Sequence, residues 1–429
     1  MNVLFINDSA TDSNWGDRAA AISLMAMIRH RGAQITHVIT LESLWHSDFV
    51  ERPFEPPSAE VPDISAREQV KSLIPPIVLS ARRRVLRLDE GGPDQLIPKR
   101  WEDFDAAADN VSREERYGWP VVWRAIREAD VAVIHGSSLH GDIVVSRTEL
   151  FLAFLIKTRF GKPVAIVNHT ADLEFPPLRH MAERVYPLFD DVVYRDPISA
   201  ERWAASLGGR FAADTAFWFE PAPRDVWAPL ARRPTYFDVW PDTATFDPSE
   251  PYLCLGGSCI FHDRKDWDSV INGYSVLVEH LRSTYSGAIV LTASAALDQT
   301  VFRAVAERFD LPLIGVTTPV QQAVDILGNA DAYIGGRWHA GIFALRGGTP
   351  LIALSSQTFK MRALAGMTGA SSAPFDALDP GRDAPAIGRR LSLALAQGSD
   401  LRRRLRAWAD GMAENSWDNV AFLGRELGT

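Results

Sequence analysis

Short β-prone apolar runs alternate with longer helical runs from the first residue almost to the last, and this alternation leaves the chain few folds to adopt. Residues 2–6, 34–40, 131–135, 163–168 and 192–194 read as buried strands, with helices over 17–31, 148–159 and 197–207 between or after them. A second series starts with a strand at 252–255. Strands at 288–291, 312–315, 332–334 and 350–354 then alternate with helices at 267–282, 297–309, 319–328 and 339–345. A parallel sheet covered by helices is the economical solution for each series. The expected fold is therefore α/β, with two Rossmann-like domains facing each other across a cleft, the architecture called GT-B. Ligands of such open sheets bind beyond the carboxyl ends of the strands, and every motif discussed below falls at such an end.

The 429 residues suit two domains. The first is expected over 1–222, with an insertion at 42–120 that departs from the alternation. A connection follows at 223–250, rich in proline and aromatic residues. The second domain covers 251–400, and the helical stretch 401–427 within 401–429 is placed across the junction. Within the insertion, 66–88 mixes apolar residues with Arg82, Arg83, Arg84 and Arg87. This suits a lid or surface insertion better than an interfacial membrane helix. A net charge of −9 argues against nonspecific nucleic-acid binding. The start, Met1-Asn2-Val3-Leu4-Phe5-Ile6, has no basic leader, and no apolar run approaches a membrane span, so a cytoplasmic protein is expected. Cys254 and Cys259 are the only cysteines, read as buried thiols.

The sharpest signal runs from Tyr333 to Pro350. A strand ends at Gly335-Gly336, Arg337 and His339 follow, and a helix begins at once. The first N–H groups of a helix lack intrahelical partners and sit at its positive end, which favours an anion. Arg337 can add a bidentate contact to phosphate or carboxylate, and an imidazole at His339 can give or take a proton near neutrality. The bland alternative is that His339 caps the helix and Arg337 pairs with a surface acid. Lys360, after the next strand end, brings a point charge to the same cleft. Lysine otherwise occurs only at 71, 99, 157, 162 and 265. In the first half, Asn14-Trp15-Gly16-Asp17 lies between a strand and its helix. Gly16 is read as permitting a tight turn, and Asp17 either as a helix cap or as a carboxylate holding a hydroxyl. Arg195 follows the 192–194 strand, where an anion would sit. Asp214 is read as a turn former, and Gly256-Gly257-Ser258 as a weaker phosphate cradle. His135 and His140 lack a third ligand at metal-binding spacing.

These stretches, taken in order, resemble the polysaccharide pyruvyl transferase family. They are Asn14-x-Gly16-Asp17, the strand and small-residue turn over 130–139, and Gly161-Lys162-Pro163-Val164. Tyr194-Arg195-Asp196-x-x-Ser199, Asp214-x-Ala216-Phe217, and Gly336-Arg337-x-His339 through Gly348-Thr349-Pro350 to Lys360 complete the set. Three features depart from the family pattern: His135-Gly136-Ser137-Ser138 replaces a glycine-rich turn, the 42–120 insertion is long, and Trp338 stands where leucine is often found. They bear on the acceptor more than on the reaction.

The resemblance implies a GT-B-like fold and transfer of pyruvate from phosphoenolpyruvate, a co-substrate, onto two hydroxyls of a sugar as a cyclic ketal, without a metal or other cofactor. On that basis His339 is expected to be the general acid. Asp17 is expected to orient or deprotonate the acceptor, with Asn14 beside it, while Arg337, Lys360 and Arg195 hold the donor. The acceptor would be a glycan or its precursor, free or lipid-linked. A lipid-linked acceptor would bring the protein to the inner membrane face. The rival readings are a GT-B glycosyltransferase using a nucleotide sugar and a non-catalytic carbohydrate-binding relative.

Overall fold

The computed structural model describes residues 1–10, 12, 14–45, 96–233, 236–237, 239–241, 246–263, 266–370 and 373–424. Of the 42–120 insertion, residues 46–95 lie outside these, and the reading of 66–88 falls with them.

The first half runs β1 (Asn2–Ile6), α1 (Trp15–His30), β2 (Gln34–Ile39), α2 (Phe104–Val111), α3 (Trp119–Glu128), β3 (Val131–His135) and β4 (Ser138–His140). It continues with α4 (Val144–Phe160), β5 (Val164–Asp172), α5 (Pro176–Val185), β6 (Asp191–Tyr194), α6 (Pro197–Leu207) and β7 (Arg210–Phe211). These strands form one parallel sheet in the order β2-β1-β3-β5-β6-β7, with β4 paired to β5 beyond that path. Helix ends follow local chemistry. Asn14 caps α1, Gly161 closes α4 at a φ of 61°, and Asp196 caps α6 ahead of Pro197. The short strands β4 and β7 and the helices α2, α3 and α5 were not read from the sequence; two or three paired residues carry little periodicity, and α2 lies inside the insertion.

The connection contains α7 (Arg224–Ala231) and β8 (Val239–Trp240). The second half runs β9 (Tyr252–Ser258), α8 (Trp267–Thr284), β10 (Ala288–Thr292), α9 (Ala296–Phe309), β11 (Leu313–Ile314), α10 (Val320–Gly328) and β12 (Tyr333–Gly336). Then come α11 (Trp338–Arg346), β13 (Leu351–Ala353), α12 (Lys360–Met367), α13 (Ala384–Ala396) and α14 (Gly398–Ser416). Its sheet order is β13-β12-β9-β10-β11-β8, parallel except for the β11–β8 pair.

The strand orders reverse between β1 and β3 in one sheet and between β9 and β12 in the other. Each reversal opens a crevice where the flanking connections diverge, the place a ligand occupies in such sheets. An apolar seam joins the halves beside these crevices. Trp15, Ala19 and Ala20 of α1, with Ala216 and Phe217, share one buried cluster with Trp338, Ile342 and Phe343 of α11. Arg18, buried within α1, donates to the carbonyls of Val316 (3.3 Å) and Thr318 (2.8 Å). The C-terminal stretch is α14 followed by a 3-10 turn at Trp417–Gly424, in place of one helix. Arg402 donates to the Gly328 carbonyl of the second half, and Asn419 accepts the Asn168 N–H and donates to the Ala213 carbonyl of the first. No described helix is long and apolar enough to cross a membrane.

Candidate active site

A cavity of about 440 Å³ lies where the two crevices meet. Asn7, Asp17, His135 and Arg195 line it from the first half, and Cys259, Arg337, His339 and Lys360 from the second. Asn14 lines it as well. The six residues expected to carry the chemistry are thus gathered in one place.

Their partners revise several expectations. The helix α11 has no side-chain cap and its first residues, Trp338, His339 and Ala340, line the cavity; His339 is its second residue and not its cap. Nε2 of His339 stands 3.4 Å from Oδ2 of Asp214 without an aligned hydrogen bond, and Nδ1 stands 3.9 Å from Oδ1 of Asp17. Asp214 does form a turn, since its Oδ1 accepts the Ala216 N–H at 2.8 Å. That is only half of its role. It is wholly buried, and its Oδ2 also accepts the Trp338 indole N–H at 2.9 Å and lies 3.5 Å from Nη1 of Arg195. Burial would raise this carboxyl, but His339, Arg195 and the Ala216 N–H outweigh it and hold it well below the usual carboxylate range.

Arg337 does pair with an acid, but a buried one. Its Nε and Nη2 grip the carboxylate of Asp298, from the first turn of α9, at 2.8–3.1 Å. Burial would lower this guanidinium, yet Asp298 and Cys259 raise it overall. Breaking such a buried pair from one side costs about 3–5 kcal/mol, so Asp298 fixes the direction in which Arg337 meets the cavity. Arg195 is also committed: Nε donates to Thr170 Oγ1 and Nη2 to Ser138 Oγ, both at 3.0 Å, and its guanidinium stacks 5.7 Å from the Trp338 ring.

Asn14 caps α1 through Oδ1, which accepts the N–H groups of Gly16 and Asp17. Asp17 is therefore not the cap, and its half-exposed carboxylate is left facing the cavity. Gly16 serves no tight turn. A Cβ there would lie 2.0 Å from His339 Nδ1, so the missing side chain is what lets the imidazole lie against α1. The glycines of Gly256-Gly257-Ser258 belong to β9 and do not cradle a phosphate. A Cβ on Gly257 would meet Asp298 Oδ1 at 2.1 Å, so that residue makes room for the partner of Arg337. Cys254 is a core thiol. Cys259, also buried, is in addition a wall of the cavity; burial raises it, but Lys360, Arg337 and the Gln357 N–H lower it overall. Among the described residues no group of three His, Cys, Asp or Glu side chains could hold a metal ion.

Behind the first-half wall, Asn7 adopts φ 67° at the end of β1. Its amide donates to the His135 carbonyl (2.8 Å) and to Oε1 of Glu149 (2.9 Å), which also accepts the Ser137 N–H at 3.0 Å. Glu149 is wholly buried, and burial pushes its pKa up to about 8. A carboxyl raised on folding binds a proton that the unfolded chain releases. Its stabilisation is complete below the ordinary value near 4.5 and is lost as pH rises through 8. Glu149→Gln keeps the acceptor and removes the titration. Thermal melts should show the wild type losing stability relative to this variant by about 1.4 kcal/mol per pH unit between pH 6 and 8. Parallel melting curves across that range would show Glu149 to be ionised throughout.

Sheet order and cleft define the class: a two-domain GT-B protein. Solved structures share the fold. A UDP-GlcNAc 2-epimerase from Neisseria meningitidis bound to UDP-GlcNAc matches with a TM-score of 0.54 at 11% identity, over 99% of both chains. A putative UDP-N-acetylglucosamine 2-epimerase from Listeria monocytogenes matches with a TM-score of 0.53 at 11% identity, over 97% of this chain and 94% of that one. Arabidopsis thaliana UGT89C1 complexed with UDP matches with a TM-score of 0.51 at 14% identity, over 98% of both. At such identities the likeness speaks for the fold alone. No curated protein matches the chain in sequence. The model of the family described as polysaccharide pyruvyl transferase matches residues 55–358, most of the chain. The protein belongs to that family, and is a transferase.

Proposed function

We propose that this protein moves the pyruvyl group of phosphoenolpyruvate onto two hydroxyls of a sugar in a glycan or glycan precursor, forming a cyclic ketal and releasing phosphate. The observation that carries this reading is the set of groups lining one cavity: the open start of α11, Arg337, Arg195 and Lys360, with His339 between two carboxylates. Phosphoenolpyruvate presents a phosphate and a carboxylate, which suit the cations and the helix start. His339, protonated, gives its proton to the methylene carbon, which becomes a methyl group. The neighbouring carbon gains oxocarbenium character, and the oxygen of one sugar hydroxyl attacks it while Asp17 takes that hydroxyl's proton. The bond from this carbon to the phosphate oxygen breaks, and the second hydroxyl closes the ring. One of the two hydroxyl protons balances the one given to carbon, and the other leaves on phosphate. Asp214 stands on the other side of the imidazole, with Oδ2 3.4 Å from Nε2. With Trp338, it also ties α11 to the first half at the reacting centre.

Heat-shift of the purified protein tests the donor. Phosphoenolpyruvate at about a hundred times its Kd should stabilise the wild type by about 2.7 kcal/mol. Lys360→Ala, a change at a half-buried site outside the Asp298 pair, should weaken binding by about ten- to a hundredfold through loss of one charged hydrogen bond. Stabilisation by a nucleotide sugar with none by phosphoenolpyruvate would remove the reading.

A further inference from the structure

His135 ends β3, the residue is 6% exposed, and the mechanism above leaves it unused. Its two nitrogens are not equivalent. Nε2 lies 3.3 Å from Nδ2 of Asn168. That amide is oriented by its other end, since Asn168 Oδ1 accepts the Thr215 N–H at 2.9 Å. An amide nitrogen donates and does not accept, so Nε2 is the acceptor and the neutral ring carries its proton on Nδ1. Burial keeps the ring neutral, pushing its pKa down to about 4. Of the charged groups facing it, Arg195 and His339 add to this while Asp214 and Asp17 oppose it.

Among the described residues the Nδ1–H has no hydrogen-bond partner, and neither does Oγ of Ser137 two residues on. Both residues line the cavity. An unmatched buried donor costs about 1–3 kcal/mol, and a folded chain rarely keeps one without a use for it. The neighbouring wall is made of donors: Arg195 reaches Ser138 in the same turn, and the open start of α11 faces the same space.

We propose that His135 is a ligand-binding residue of this cleft, donating Nδ1–H as a neutral, directional hydrogen bond to an oxyanion, a carboxylate or phosphate oxygen. The assignment deepens the donor reading above and rests on it for the identity of the natural ligand. The first half of the protein then grips from β3 the same ligand that the second half holds by Arg337 and Lys360.

The whole protein, labelled with 15N only at histidine, tests this when titrated separately with inorganic phosphate, pyruvate and phosphoenolpyruvate. The signal missing from the His135→Asn spectrum identifies the residue. Nδ1 is expected to carry the proton in the free protein, and that proton should shift downfield as oxyanion is added. In calorimetry His135→Leu should bind about tenfold more weakly. His135→Asn, whose amide nitrogen occupies the place of Nδ1, should stay within about threefold of wild type. A ring protonated at Nε2, or equal affinities for His135→Leu and wild type, would overturn the proposal. Phosphate binding that depends on His135, without any binding of phosphoenolpyruvate, would uphold it and fail the donor reading alone. A wild type that binds none of the three would overturn both.

Discussion

His339→Gln should lower kcat for phosphate release from phosphoenolpyruvate by about 10²- to 10⁴-fold, the usual contribution of a positioned general acid, while the heat shift caused by phosphoenolpyruvate persists. The substitution isolates proton transfer. Glutamine is a neutral amide of similar reach, and the cations Arg195, Arg337 and Lys360 that suit the anion are untouched. Phosphate release measured across a panel of mono- and disaccharide acceptors provides the rate. Turnover at the wild-type rate on any acceptor would remove His339 as the acid. Loss of the heat shift together with the rate would make it a binding residue instead.

Gly16→Ala should disable the same centre from the opposite helix. In an isolated helix this change is favourable by about 1 kcal/mol. Here the new Cβ would lie 2.0 Å from Nδ1 of His339 and 2.3 Å from its Cβ and Cγ. Two of those atoms are at the root of the side chain, so ring rotation cannot clear them, and α1 and α11 must separate. Overpacking of this kind costs about 1–3 kcal/mol. The accompanying misplacement of His339 is expected to reduce kcat by about a hundredfold. Chemical denaturation beside the phosphate-release assay reads both effects. A more stable, fully active Gly16→Ala protein would show that helix propensity outweighs the contact and that the imidazole does not lie against α1.

The two predictions draw on different kinds of information. His339 was legible because its setting is local: a strand ends at Gly336, Arg337 follows, and the next two residues open a helix. Strand end, anion-seeking helix start and imidazole are all read from consecutive residues. Gly16 was legible as important for the wrong reason, since a glycine between strand and helix suggests a turn, and the residue it accommodates comes from the other half of the chain. Asp214 was seen only as a turn former, because one of its oxygens does serve the adjacent N–H, and that local satisfaction concealed the oxygen facing His339 and Trp338. Asp298 gave no signal, an acid in the first turn of a helix being where helix chemistry alone would put one.

The sequence by itself determined the two alternating α/β series, the strand ends that line the cavity, the family resemblance, and the residue types gathered there. The alternating series and the strand ends follow from nearest-neighbour periodicity, and the family from the order of short motifs along the chain. The tertiary structure alone decided which charges are paired. Arg337 meets Asp298 across 39 residues of chain, and Trp338 meets Asp214 across 124. Whether a buried charge is matched depends on the few ångströms between side chains of separate elements, and sheet order and the seam between the halves set that distance.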